Sequence, residues 1–175
     1  MRAATYRQVL TGIILAGGKA SRMGVDKAFL KIGKGTLIDM QLSLLRKIFK
    51  KIIIVTNSPQ GYRNLKGVKL VSDIIPDLGP LGGIFSGLLA SKDKYNFVIA
   101  CDMPFINSKL IKYMYKKTQE YDVVVPKINN RYEPLFCIYS KNCLKIIKEL
   151  LDKKNPKIKK LFPKVKLKVI SKKEI

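Results

Sequence analysis

Histidine and tryptophan are missing from this sequence altogether, and carboxylates are scarce. Without histidine there is no histidine-ligated zinc site, no Ser-His-Asp triad and no Cys-His dyad. A general base must then be a carboxylate, lysine or tyrosine, or the reaction must run on positioning and a metal. The three cysteines, Cys101, Cys137 and Cys143, form no C-x-x-C pair, which agrees with a reducing cytoplasm. No apolar run approaches the ~18 residues needed to cross a bilayer. Arg2 and Arg7 stand before the apolar residues 9–16, but that run is short for a secretory signal. It leads into Gly17-Gly18-Lys19 rather than a small-residue cleavage site. A cytoplasmic protein without membrane contact is expected.

Positive charge, by contrast, is abundant. Thirty-five Lys and Arg against twelve Asp and Glu give a formal net charge of +23. Residues 141–175 hold thirteen lysines against Glu149, Asp152 and Glu174. Such a surface attracts nucleic acid, anionic lipid or small phosphorylated substrates. Heavy lysine usage across a whole proteome would produce the same balance. Only Tyr139 and Phe162 supply aromatics to the basic end, so no base-stacking platform is visible there. Nucleic-acid binding is expected to be non-specific. The 175 residues are 47% hydrophobic and 27% charged, ordinary values for one globular domain with a sizeable core.

Short apolar runs alternate with helical stretches. Residues 9–16 form a continuous apolar run ending in glycines, and 52–55 are β-branched throughout; both read as buried parallel strands. Thr36 and Asp39 have the capping-box spacing, and Leu37, Met40, Leu44, Leu45 and Ile48 then fall on one helical face. Residues 68–71 and 96–101 read as further strands, separated by a loop over 73–83 and a short helix over 84–91. Asn107 or Ser108 caps a helix with Leu110, Ile111 and Met114 on its apolar face. Strands are expected at 123–125 and 135–139, and a helix at 143–151. Val165, Leu167 and Val169 alternate with lysines as an exposed edge strand. With neither repeat nor linker, the pattern predicts one α/β domain over residues 1–175, a three-layer Rossmann-like arrangement around a mostly parallel sheet.

Ligands of open α/β sheets bind beyond the carboxyl ends of the strands, and three unusual segments fall at such ends. The first runs from Leu15-Ala16-Gly17-Gly18 through Lys19, Arg22 and Lys27. Its glycines admit close backbone approach to phosphate oxygens, and its cations suit a triphosphate. It matches neither a Walker A loop nor the G-x-G-x-x-G fingerprint, and an ordinary glycine turn with solvated lysines fits it as well. In the second segment, 73–83, Asp73 is either a hydrogen-bond acceptor for a purine edge or ribose, or a turn cap. The third places Asp102 where a strand stops, as a Mg²⁺ ligand or a turn-former. Cys101 reads as a packed small apolar residue rather than a reactive thiol.

Together these segments resemble the molybdenum cofactor guanylyltransferase family. The likeness rests on Leu15-Ala-Gly-Gly18, Ser21-Arg-Met-Gly24, Asp26-Lys27, Gly79-Pro-Leu-x-Gly83 and Cys101-Asp-Met-Pro104, in the family's order. The first segment marks the wider nucleotidyltransferase superfamily; Gly17-Gly18 with Gly79-Pro80-Leu81 tilts the reading to guanine. The resemblance implies a nucleotidyltransferase fold and transfer of GMP from GTP to the terminal phosphate of molybdopterin, with release of pyrophosphate. It implies that Leu15, Ala16, Gly17 and Gly18 cradle the nucleotide, with Gly79, Pro80 and Leu81 also lining its site. Arg22 and Lys27 would hold the phosphates, Asp73 and Asn57 would contact the nucleotide, and Asp102 would ligate Mg²⁺. Arg131, Glu133 and Pro134 fall near where relatives bind the pterin. Other enzymes of molybdenum cofactor biosynthesis, and the enzymes that accept the cofactor, would be its protein partners.

A phosphate nucleophile is already ionised at neutral pH, so such a transfer requires no general base, in keeping with a chain without histidine. Relatives end with a further strand and helix carrying an Asn-x-Asn-Thr-Pro-like motif, which does not occur before Ile175. A CTP-dependent pterin or sugar-phosphate transferase is the alternative, separated by nucleotide preference.

Overall fold

A computed structural model describes residues 10–16, 26–33, 35–75 and 77–174. Strand β1 (Leu10–Leu15) is buried along its whole length. A small hairpin of β2 (Lys31–Ile32) and β3 (Gly35–Thr36) leads into helix α1 (Leu37–Ile48). Thr36 begins that helix as expected. Its hydroxyl accepts from the Asp39 N–H while the Asp39 carboxylate accepts from the Thr36 N–H, so two otherwise orphaned donors are satisfied reciprocally.

Strands β4 (Ile52–Val55) and β5 (Lys69–Val71) follow, then helix α2 (Gly79–Ala90), β6 (Tyr95–Ala100) and helix α3 (Ser108–Lys116). Asn107 caps α3, accepting from the N–H groups of Lys109 and Leu110. The chain closes through β7 (Val123–Ile128), β8 (Arg131–Tyr132), β9 (Phe136–Ser140), α4 (Leu144–Asp152) and β10 (Leu167–Ser171).

The main sheet is eight-stranded, in the order β10-β7-β9-β6-β1-β4-β5, with β8 paired to β7. β1, β4, β5 and β6 are mutually parallel. β9 runs antiparallel to both β6 and β7, and β10 lies at the edge, parallel to β7. The mostly parallel sheet and the lysine-bearing edge strand are both as expected.

Alternation along the strands divides the core between the two faces of the sheet. Leu10, Ile14, Ile52, Ile54, Phe97 and Ile99 pack with α1 and α3. Ile13, Leu15, Ile53, Val55 and Val98 pack with α2 and α4. The result is three layers, with the helices closing both faces.

Two expectations are corrected. α2 begins at Gly79, five residues before the anticipated start. Gly79 supplies a φ of +63° that a side chain would resist, and Pro80 sits in the first turn, where its missing N–H costs nothing. The Gly-Pro content that read as loop is the helix start itself. The buried face of α1 is also rotated: Leu37, Ile38, Gln41, Leu42, Leu45 and Ile48 are buried, whereas Met40 and Leu44 line a surface groove with Pro104, Phe105 and Ile106.

Candidate nucleotide-binding site

Parallel pairing brings the carboxyl ends of β1, β4, β5 and β6 to one rim of the sheet. Beyond those ends stand Ala16, Asn57, Asp73 and Asp102, one after each strand. The Ala16 N–H donates to the Val55 carbonyl at 2.8 Å and the Leu15 carbonyl accepts from the Cys101 N–H at 3.1 Å. These groups are committed to the sheet. Leu15 and Ala16 are buried and belong to the core. Gly17, Gly18, Lys19 and Arg22, also of the first segment, lie outside the described residues.

Asn57 and Asp73 form a reciprocal pair across the ends of β4 and β5. The Asp73 N–H donates to Asn57 Oδ1 at 3.0 Å, and Asn57 Nδ2 donates to Asp73 Oδ2 at 3.4 Å. Asp73 Oδ1 is buried without a hydrogen-bond partner, close to the backbone at Gly83 in the second turn of α2. Burial pushes the Asp73 carboxyl above the ordinary aspartate range; the nearby Ser86 hydroxyl and the Asn57 amide oppose that push. The Ser86 hydroxyl donates to the Gly82 carbonyl at 3.0 Å and accepts from the Ile74 N–H at 2.9 Å, fixing the chain that follows Asp73 to the start of α2.

That helix start has no side-chain cap. Gly79 and Pro80 are exposed, in positions where a ligand could meet them. Leu81 is different: at 0% exposure it belongs wholly to the core, and it anchors the helix rather than lining the rim.

Lys27 and Asp102 come from separate segments, but the charges of both act on one residue, Cys101. Burial raises the Cys101 thiol to about 11; the neighbouring Asp102 and Asp26 carboxylates push the same way, and the Lys27 ammonium opposes them. Cys101 is therefore an inert packed residue, as its sequence context suggests, and the charges of Asp26, Lys27 and Asp102 converge on it. Lys27 opens a single 3-10 turn (Lys27–Phe29) capped by Asp26, whose Oδ1 accepts from the Ala28 N–H at 3.0 Å. Asp26 Oδ2 accepts from the hydroxyl of buried Tyr62 at 2.6 Å. Both Asp26 oxygens are engaged, whereas Asp102 is exposed and forms no hydrogen bond or ion pair with the described residues.

A lone carboxylate suits Mg²⁺, which is commonly held by one or two carboxylates with substrate phosphates and water completing its shell. Among the described residues no three His, Cys, Asp or Glu side chains gather into a metal cage, so the donor set fits a metal that arrives with phosphates. Further along the sheet, the Arg131–Pro134 stretch stays close to this rim, since the Leu135 carbonyl accepts from the Ala100 N–H at 3.1 Å. Pro134 itself accepts from the Tyr139 hydroxyl at 2.9 Å.

Sequence reasoning missed Tyr62 and Gln41, which support Lys27 and Asp102 from outside the recognisable segments. Tyr62 carries no local signal. Gln41 has one, since a polar residue interrupts the buried stripe of α1.

A mostly parallel α/β sheet with a lysine and carboxylates at its carboxyl rim defines a nucleotide-handling α/β protein. The MobA-like NTP transferase domain family matches residues 12–167. The probable molybdenum cofactor guanylyltransferase of Clostridium perfringens (strain SM101) is 42% identical over 159 residues, which cover 90% of this chain and 79% of that protein. The molybdenum cofactor guanylyltransferase of Desulfosudis oleivorans is 35% identical, over 95% of this chain and 83% of its own length. In shape, the crystal structure of molybdopterin-guanine dinucleotide biosynthesis protein A from Archaeoglobus fulgidus matches with a TM-score of 0.79 at 20% identity, covering 94% of this chain and 84% of that one. The chain belongs to the MobA-like NTP transferase family.

Proposed function

We propose that the protein transfers GMP from GTP to the terminal phosphate of molybdopterin. An oxygen of the pterin phosphate attacks the α-phosphorus in line, the bond from that phosphorus to the bridging oxygen breaks, and pyrophosphate departs. The product is a guanine dinucleotide form of the cofactor. The observation that carries this reading is the rim itself: Asn57, Asp73 and Asp102 follow the parallel strands β4, β5 and β6, and the charges of Lys27 and Asp102 both act on Cys101. The names of the most similar relatives supply the substrates.

In this reading Asp73 accepts from the N1–H and amino groups of guanine, an edge that cytosine and adenine do not present in that form. Asn57 holds the carboxylate in place for this contact. Gly17, Gly18, Gly79 and Pro80 surround the nucleotide, and Arg22 and Lys27 offset the phosphate charge. Mg²⁺ would be held by Asp102 and would add electrostatic stabilisation of the developing charge. Both reactants are anions, so charge neutralisation and positioning are the site's main tasks. No residue has to abstract a proton. The three buried, unpaired cysteines support work in a reducing cytoplasm, and no described helix is long and apolar enough to cross a membrane.

Calorimetric titration with GTP, CTP and ATP, with and without Mg²⁺, tests the reading. It is done at moderate salt, because a chain of net charge +23 attracts any triphosphate when screening is weak. A clear GTP preference is expected. A CTP preference would move the assignment to a cytidylyl transferase, and equal binding that fades with salt would remove the nucleotide pocket.

A further inference from the structure

Gln41 is a fully buried amide, at 0% exposure, on the core face of α1. Its Nε2 donates to the Ala100 carbonyl at 2.8 Å and to the Met103 carbonyl at 3.0 Å. Those carbonyls belong to the two ends of one turn, closed by the Met103 N–H donating to the Ala100 carbonyl at 3.2 Å. Cys101 and Asp102 are its two central residues. A single side chain, reaching in from 59 and 62 residues earlier in the sequence, thus ties both ends of the turn that presents Asp102.

The orientation of the amide follows from its neighbours. Both contacts are carbonyl oxygens, so only the nitrogen can face them. The consequence is that Gln41 Oε1 is buried with no partner. A buried, unsatisfied acceptor is unfavourable, and an apolar side chain of the same length would fill the stripe without adding one of its own. Packing alone does not account for a glutamine here; the two carbonyls of the Asp102 turn do. Asp102 is exposed and forms no hydrogen bond with the described residues, so among them its direction is set by the backbone that carries it.

We infer that Gln41 is a positioning residue for the metal-binding carboxylate: it holds the turn of residues 100–103 so that Asp102 faces the nucleotide phosphates. This rests on the assignment of Asp102 under Proposed function. Supporting groups of this kind typically shift metal affinity by 10–100-fold when removed.

Gln41→Met tests it, since methionine matches the length of the side chain and adapts to the space; Gln41→Leu is the second variant should the first fail to fold. The substitution exchanges one unpaired acceptor, Gln41 Oε1, for another, the Met103 carbonyl, so Tm is expected to stay within about 4 °C of the parent. In the protein free of nucleotide and metal, the Met103 amide should exchange its hydrogen about tenfold faster, because the turn it closes is loosened. Half-saturation of turnover with Mg²⁺ should rise about tenfold, while GTP affinity measured without metal stays within about twofold. Unchanged amide exchange, or unchanged Mg²⁺ half-saturation, overturns the inference. So does a uniform loss of stability, metal-free GTP binding and turnover, which would make Gln41 part of the core and nothing more. Asp102→Asn is measured alongside. If it leaves Mg²⁺ dependence intact, the metal assignment fails, whereas accelerated exchange at Met103 in Gln41→Met would still report the clamp on the turn.

Discussion

The hydroxyl of Tyr62 donates to Asp26 at 2.6 Å across 36 residues of sequence, and this contact fixes the turn from which Lys27 projects. Asp26 Oδ1 is held by the Ala28 N–H, so the aspartate acts as an anchor with both oxygens in use. Burial, followed by the adjoining Asp26 carboxylate, raises the Tyr62 phenol far beyond neutral pH. The donor is therefore constant across the working range.

Tyr62→Phe removes that donor and leaves the ring packed against Phe29, whose centroid lies 4.8 Å away. A hydrogen bond to a charged group contributes about 1.5–3 kcal/mol, and the half-buried Asp26 regains part of this from water. A loss of about 1–2 kcal/mol in urea denaturation is expected, together with a GTP Kd weakened several-fold. Unchanged stability would mean that the turn stands without its anchor.

Asp73 links stability to pH with a definite sign. Its folded-state pKa lies above the unfolded value, chiefly through burial. The unfolded chain therefore releases its proton first, and stability falls as pH rises from the unfolded value, near 4, through the folded one. Asp73→Asn removes the ionisation. The variant should have an equal or higher Tm at pH 7 and a flatter stability profile above pH 4, yet it should lose its preference for GTP over ATP. A lower Tm at neutral pH would show that the Asn57 and Ser86 contacts outweigh burial. Intact guanine preference would remove Asp73 from base recognition.

Lys27 and Asp102 are separable by the roles proposed for them, phosphate binding and metal binding. Lys27→Ala should weaken GTP binding by an order of magnitude or more while guanosine binding is nearly unchanged, since only the phosphates lose a charge partner. Equal loss for both ligands would reduce the lysine to a structural role. Asp102→Asn changes an exposed group that makes no hydrogen bond with the described residues, so stability should stay within about 0.5 kcal/mol while Mg²⁺-dependent turnover disappears. Persisting Mg²⁺-dependent turnover would place the metal elsewhere.

The frame and the rim were legible in the sequence for the same physical reason. Buried parallel strands need apolar runs, and those ending at Leu15, Val55 and Ala100 stand out between polar segments, while the edge strand ending at Val71 is marked only by Leu70 and Val71 beside Lys69. Asp102 is legible because it follows such a run, and Asp73 because it opens the Gly- and Pro-rich segment after a strand end. What stayed hidden depends on contacts distant in sequence. Nothing near Tyr62 reveals Asp26, and nothing near Gln41 reveals a turn some sixty residues on. The start of α2 was misread because glycine and proline are helix breakers in the interior but acceptable in the first turn. Leu81 was grouped with the nucleotide segment although its side chain lies in the core, since a motif shows adjacency in sequence and not the direction in which each residue points.

Gly87 shows how closely the helix layer sits on the strands that build the rim. A Cβ placed there would lie 2.7 Å from Ile13 Cγ2, 3.1 Å from Ile13 Cδ1 and 3.2 Å from Val55 Cγ2. Ile13 is fully buried in β1 and Val55 closes β4; both are β-branched and stiff at χ1. Neither can swing aside as a long surface side chain would. Alanine favours a helix interior over glycine by about 1 kcal/mol, but overpacking a filled core costs about 1–3 kcal/mol. Steric pressure should win, so Gly87→Ala is expected to lower stability by about 1–2 kcal/mol. The effect should reach the site, because pushing α2 off the sheet moves Ser86, which holds the Ile74 N–H beside Asp73. GTP affinity is therefore expected to fall further than triphosphate affinity, read by competition with inorganic triphosphate. An unchanged or raised Tm with unaltered GTP binding would show that the interface relaxes without disturbing Asp73.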